Sequence, residues 1–239
     1  LYETAMIRIH TIESSEAAQT YFVQSERADY YTGCPEKPGI WYGKGAQLLG
    51  LKGVVSEGDF AALCNNQNPH TKQQLTKRQN KQRRVAFDFN FHPPKSVSQM
   101  HALTGDKNIQ LAMEKAVTQT MQQLEKDMAT RVRKQGGDAD RITGNMVWSQ
   151  FTHLHTRPVE DDAGRLVPDP HLHCHCVCFN ATYDKEENCW KAAQIGDIKR
   201  DAPYYEACFH NRLIRELKAL GYEIDIVDGK WEIQGVPPT

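Results

Sequence analysis

Apolar and polar residues alternate with a period of two in some stretches of this chain and recur three or four apart in others, so both strands and helices are expected. Val85, Phe87, Phe89 and Phe91 fall on one side of such an alternation and Ala86, Asp88 and Asn90 on the other, predicting a strand that His92-Pro93-Pro94 stops. Met6 to His10 alternates in the same way, and Ser14 and Ser15 offer an N-cap to a helix through Glu16, Ala17 and Ala18. Trp41 to Leu51 reads as a turn and a short helix, with Gly43-Lys44-Gly45 too short for a phosphate-binding loop. Ser56 to Leu63 reads as another short helix, and Lys95-Ser96-Val97-Ser98 opens a helical region. From Asn108 to Lys134, Met113, Val117, Met121, Leu124, Met128 and Val132 recur at helical spacing, which predicts one long amphipathic helix ended by Gly136-Gly137. Strands are expected over 145–155 and 171–182, joined by an acidic, proline-containing loop over 157–170. Pro203 opens a last helix through Leu213, Ile214, Leu217 and Leu220 that Gly221 stops, and Asp228-Gly229 marks a hairpin within 222–233. Elements mixed in this order imply an α+β fold, a central antiparallel β-sheet flanked by helices, in a single domain over residues 1–239.

Composition adds two constraints. The 29 basic and 30 acidic side chains balance, so overall charge predicts no polyanionic partner. Their distribution points the other way: Lys72, Lys77, Arg78, Lys81, Arg83 and Arg84 occur with no acidic residue among them, either a solvated loop or a strap that contacts nucleic-acid phosphates. No apolar run approaches bilayer length and no signal-peptide pattern opens the chain, so a soluble cytoplasmic protein with no membrane partner is expected. Seven cysteines fit no small disulfide scaffold; Cys174, Cys176 and Cys178 alternate on one strand face as reduced, small hydrophobes.

The opposite face of that strand carries His171, His173 and His175, because side chains two apart in a strand project to one side. Two such imidazoles are spaced to share a divalent cation, and a third ligand is available from His153 or His155 on the neighbouring predicted strand. Three neutral imidazoles leave part of the coordination sphere open, as a Lewis-acid catalyst requires. No His-Glu-x-x-His helix is present and no glutamate adjoins the histidine strand as a base for hydrolysis. Tyr21, Tyr30 and Tyr31 gather near the amino end, and a tyrosine hydroxyl can attack a metal-polarised phosphodiester to form a phosphotyrosine. Asp88, among phenylalanines, is either a solvent residue on an edge strand or an active-site carboxylate.

Five segments in order resemble the MobF-type conjugative relaxases: Tyr21 with Asp29-Tyr30-Tyr31; Trp41 to Gly53; Phe87-Asp88 through Pro94-Lys95-Ser96-Val97-Ser98; Pro170 to His175 followed by Asn180-Ala181-Thr182; and Leu220-Gly221-Tyr222 through Trp231-Glu232 and Gly235-Val236-Pro237. The resemblance implies the palm-like HUH endonuclease fold and metal-dependent, strand-specific nicking and rejoining of DNA at a plasmid transfer origin. It puts the metal ligands at His153, His173 and His175, the nicking nucleophile at Tyr21, and a second nucleophile for rejoining at Tyr30 or Tyr31. Asp88 then orients a metal histidine or takes the tyrosine proton. The implied cofactor is a divalent ion (Mg, Mn or Zn), and the implied partners are single-stranded or hairpin origin DNA, accessory relaxosome proteins and a coupling protein. Tyr21-Phe22 departs from the paired tyrosines of many members, and His155 and His171 are additional imidazoles. The rival expectations are a hydrolase that uses activated water and an inactive DNA-binding or metal-storage module.

Overall fold

A computed structural model describes residues 7–20, 37–77, 83–134, 137–156, 159–160, 164, 166–227 and 229–236. In chain order its first half contains β1 (Arg8–Ile12), α1 (helical residues 15–20), β2 (Ile40–Tyr42), α2 (Lys44–Leu48), β3 (Gly53–Val54), α3 (Glu57–Cys64), β4 (Ala86–Phe91), α4 (Lys95–Thr104) and α5 (Lys107–Lys126). There follow β5 (Ala129–Lys134), β6 (Gly137–Ile142), β7 (Trp148–His155), β8 (Val159–Glu160), β9 (Leu166–Val167), β10 (Pro170–Phe179), β11 (Thr182–Asp184), β12 (Cys189–Lys191) and β13 (Ala193–Gln194). Helices α6 (Gly196–Arg200) and α7 (Ala202–Ala219) and the hairpin β14 (Ile224–Val227) and β15 (Lys230–Ile233) close the order.

The central sheet is antiparallel throughout, in the order β1-β4-β10-β7-β2-β3, so the histidine strand β10 sits in its interior. Its back face holds Phe87, Phe89 and Phe91 of β4 and Leu172, Cys174, Cys176 and Cys178 of β10. These pack on Ile109, Met113, Val117, Met121 and Leu124 of α5 and on Phe209, Leu213 and Leu217 of α7. The cysteines are wholly buried there as expected, and burial pushes the Cys174 thiol up to about 12, so it stays protonated and acts as a hydrophobe. On the front face a second cluster of Trp41, Phe60, Phe151, Val177, Phe179 and Ala18 covers one end of the sheet.

Several expectations change. The predicted helix over 108–134 ends at Lys126, with Asp127 as C-cap, and Met128 and Val132 belong to the start of β5 and its approach. A spacing of four fits a helix turn and a strand repeat equally, so the pattern ran on across the boundary; Met128, Thr130 and Val132 are the buried, strand-periodic set. Gly137 thus opens β6, and no helix ends there. The 157–170 stretch carries the short ribbon β8-β9, and Trp41 sits on a strand, β2, ahead of the expected helix. The strand over 171–182 stops at Phe179, because the Asn180 side chain donates to the Arg84 carbonyl and accepts from the Ala193 amide, turning the chain out of the sheet. Val85 packs with the front cluster instead of with the phenylalanines.

Two close approaches explain the glycines after Trp41. A Cβ at Gly43, which has φ +99°, would stand 2.3 Å from the Met146 carbonyl oxygen, and one at Gly45 would stand 2.7 Å from it. The same corner is tied by Glu125, whose buried Oε1 accepts from the amides of Lys44 at 2.7 Å and Met146 at 2.8 Å. Glu125→Leu is therefore expected to destabilise the protein by about 2–4 kcal/mol, since the part-buried Lys44 amide and the buried Met146 amide lose their acceptor. Urea denaturation checks this, and an unchanged midpoint would remove Glu125 from the account.

Candidate metal centre

Strand register assembles the site. Across the β10–β7 pair His173 faces His153, and His175 faces Phe151; across the β10–β4 pair His175 faces Asn90. Opposed residues of an antiparallel pair share a face, so these imidazoles lie together on the front of the sheet. Asp88, Asn90 and His92 follow one another at a period of two on the same side, and His10 of β1 lies opposite Asp88. A register shift between Pro170 and His173 adds His171 to the group.

The ring centres of His153, His173 and His175 are 5.2, 5.3 and 5.0 Å apart. A ring centre stands about 3.2 Å from an ion bound through its nitrogen, so two rings at a tetrahedral angle have centres about 5.2 Å apart. The strands therefore already hold the rings at ligand spacing. Among the described residues no three His, Cys, Asp or Glu side chains are placed to hold a metal ion as they stand, so convergence on an ion is left to rotation of the rings rather than to movement of the strands. His175 Nδ1–H donates to Asp88 Oδ2 at 3.0 Å, and His173 Nδ1–H donates to the His171 carbonyl at 2.7 Å. Carboxylate and carbonyl can only accept, which puts both protons on Nδ1 and leaves each Nε2 with its lone pair. Asn90 stands beside both groups, its carboxamide within hydrogen-bonding distance of the two Asp88 oxygens and of His175 Nδ1.

Burial controls the charge of the cluster. It pushes His173 down to about 2, with His175 adding to the effect, and pushes His92 down to about 4, with His171 and His175 adding. Both are neutral at ordinary pH, the form that binds a metal. Asp88 is 4% exposed in the sheet interior, so the edge-strand alternative for it is ruled out.

The turn after β4 fixes where β10 begins. Ser98 Oγ accepts from the Leu172 amide at 2.9 Å, and Lys95 Nζ donates to the Pro170 carbonyl at 3.0 Å and to Asp169 at 3.3 Å. Ser96 in turn bridges to β15, its amide donating to Glu232 and its hydroxyl accepting from the Ile233 amide. Asn90 and His92 were not singled out from the sequence although their signal was present: they continue the period of two from Asp88, and the prolines after His92 masked it.

Tyr21, Tyr30, Tyr31, Arg78 and Lys81 lie outside the described residues. Lys72, Lys77 and Arg84 are exposed. Arg83 is half-buried, donates to the Cys64 carbonyl and is lowered from its ordinary pKa by burial, so it anchors the base of the basic segment. Before Lys77 the chain is held by side chains: the Asn66 side chain and Thr76 exchange hydrogen bonds, and Asn68 accepts from the amides of His70 and Thr71.

Solved structures of conjugative relaxases share this fold. The conjugative relaxase TrwC in a metal-bound complex with oriT DNA superimposes with a TM-score of 0.80 at 28% identity, covering 97% of this chain and 77% of that one. TrwC complexed with a 27-mer DNA comprising the recognition hairpin and the cleavage site gives 0.77 at 28% identity, over 97% and 76%, and a copper-bound TrwC complex gives 0.79 at 28%, over 95% and 75%. The architecture is thus the HUH relaxase fold expected from the sequence. The profile of the TrwC relaxases matches residues 15–239, and the chain belongs to that family. The multifunctional conjugation protein TraI of Escherichia coli (strain K12) is 30% identical over 97% of this chain, which spans 13% of TraI's length. Among the described residues no helix is long and apolar enough to cross a membrane.

The lowered imidazoles set a pH dependence. Unfolded histidine takes up a proton near pH 6.5 (about,), whereas folded His92 and His173 wait until about 4 and about 2. Between those limits the unfolded state binds more protons, so stability falls as pH drops. The metal-free protein is expected to show a lower urea midpoint at pH ~5 than at pH ~7, with a shallower fall in His92→Gln; a midpoint that rises on acidification contradicts the buried neutral cluster.

Proposed function

We propose that this chain is the DNA-nicking domain of a conjugative relaxase, a single domain over residues 1–239 that cuts and rejoins one strand at a plasmid transfer origin in the cytoplasm. The observation that carries this reading is the set of three imidazoles from two neighbouring strands, on one face of an antiparallel sheet, with Asp88 hydrogen-bonded behind His175. His153, His173 and His175 are the residues to hold a divalent metal, and their donor set suits it: three nitrogens at ligand spacing, two with the outer nitrogen already hydrogen-bonded. Such an ion supplies Lewis-acid charge to a phosphodiester oxygen. Imidazole donors favour zinc or copper over magnesium, while availability decides among them.

The remaining work falls to the chain. The Tyr21 phenolic oxygen attacks the scissile phosphorus and gives its proton to solvent, while the bond from phosphorus to the 3′ oxygen breaks and that oxygen takes a proton from solvent to leave as the 3′ hydroxyl, which gives a 5′ phosphotyrosine. Tyr30 or Tyr31 repeats the exchange to rejoin a strand. Asp88 acts by orienting His175, as its hydrogen bond supports. Ala18, three residues before Tyr21, is wholly buried in the front-face cluster, which brings the chain leading to Tyr21 onto the histidine side of the sheet. Lys72, Lys77, Arg78, Lys81 and Arg84 contact DNA phosphates, with Arg83 anchoring them. Single-stranded or hairpin origin DNA is the substrate, and accessory relaxosome proteins and a coupling protein are the partners.

Tyr21→Phe is expected to abolish the covalent adduct with an origin oligonucleotide while binding stays within about two-fold, because the phenol rather than a water is the nucleophile. Gel retardation of labelled DNA after denaturation reads the adduct; cleavage without adduct would point to the hydrolase reading. Asp88→Asn is expected to weaken metal affinity about 10–100-fold by removing the outer partner of His175. Titration of the metal-free protein measures this, and unchanged affinity would release Asp88 from the role.

A further inference from the structure

The imidazole cluster is larger than the triad. His92 Nδ1 and His171 Nε2 stand 3.1 Å apart, with ring centres at 5.2 Å. The His173 ring completes a second triangle with them, at 5.5 Å from His92 and 4.8 Å from His171. That triangle adjoins the first and shares His173 with it.

We propose that His92 and His171 hold a second transition-metal cation beside the triad. Two nitrogens on one ion at bond lengths of about 2.1 Å, at angles between square and tetrahedral, lie about 3.0–3.4 Å apart, and the observed 3.1 Å falls inside that range. The same two nitrogens share a hydrogen bond in the metal-free protein, so the ion takes the place of a single proton between them. His173 does not bridge the two ions, because its Nδ1 proton is held by the His171 carbonyl and only its Nε2 can bind an ion. The second ion thus has two protein ligands and leaves its other positions to water or phosphate oxygens. An all-imidazole donor pair selects zinc, copper, nickel or cobalt and discriminates against magnesium and calcium. Both ligands are placed by backbone features: His171 by the register shift at the start of β10, and His92 by the prolines that end β4's run. The inference rests on the reading of the triad as a metal site.

The test is stoichiometry. Metal-free protein is equilibrated with Co²⁺ or Zn²⁺ at neutral pH, bound metal is counted, and the cobalt spectrum is checked for the absence of thiolate charge-transfer bands. The wild type is expected to take two equivalents, and the His92→Gln/His171→Gln and His153→Gln/His175→Gln double variants one each, with far-UV circular dichroism confirming their fold. One equivalent in the wild type that disappears with the triad variant overturns the second site and leaves the triad standing. One equivalent that disappears only with the His92/His171 variant overturns the proposed second cation and the triad reading together. If the variants do not fold, a wild type that saturates at one equivalent overturns the proposal by itself.

Discussion

Everything at this site depends on the pleat of one strand. In β10 the side chains alternate between Leu172, Cys174 and Cys176, buried against α5 and α7, and His171, His173 and His175 on the other side. The hydrophobic back anchors the strand with burial worth about 1.5–3 kcal/mol per large side chain, and the imidazoles have no freedom to choose another face. A slip of one residue would exchange the two sets, putting imidazoles into an apolar core and thiols onto the palm. The small cysteines matter for the same reason, because they fill the back face without lifting β10 away from the helices.

The recurring segments along the chain brace the two histidine strands from different directions. Gly43 and Gly45 allow the turn after β2 to press on the Met146 carbonyl just before β7, and Glu125 clamps both sides of that corner. The Lys95-Ser96-Val97-Ser98 turn reaches the other end of the pair, at Pro170 and Leu172, and connects it through Ser96 to the closing hairpin. Asn180 stops β10 on the far side. Segments far apart in sequence thus serve one requirement, that two strands keep their mutual register to within a fraction of a ring width.

Much of this was legible without coordinates. The period of two over 86–91 and 171–178 declared both faces of the sheet, and the last helix and hairpin were marked by Pro203, Gly221 and Asp228-Gly229. What escaped was structure whose spacing is ambiguous or whose partners are remote. Met128 and Val132 are four apart and fit either period, so β5 was absorbed into a helix. Strands of two or three residues such as β2, β3 and β13 have no periodicity of their own and exist through the neighbours they pair with. His92 carried a readable signal, but the prolines after it drew attention to where the strand ends rather than to which way its last side chain points.

The register shift at the start of β10 gives the palm an asymmetry of a different kind. His173 and His175 lie downstream of it, in uninterrupted pairing with β7 and β4, whereas His171 lies within it. Residue identity at 171 is therefore decoupled from the ladder: it can be exchanged without re-registering the strand, and the margin of the palm is free to diversify while its centre stays fixed. Variation in chemistry among proteins with this sheet is expected to accumulate at that bulge first.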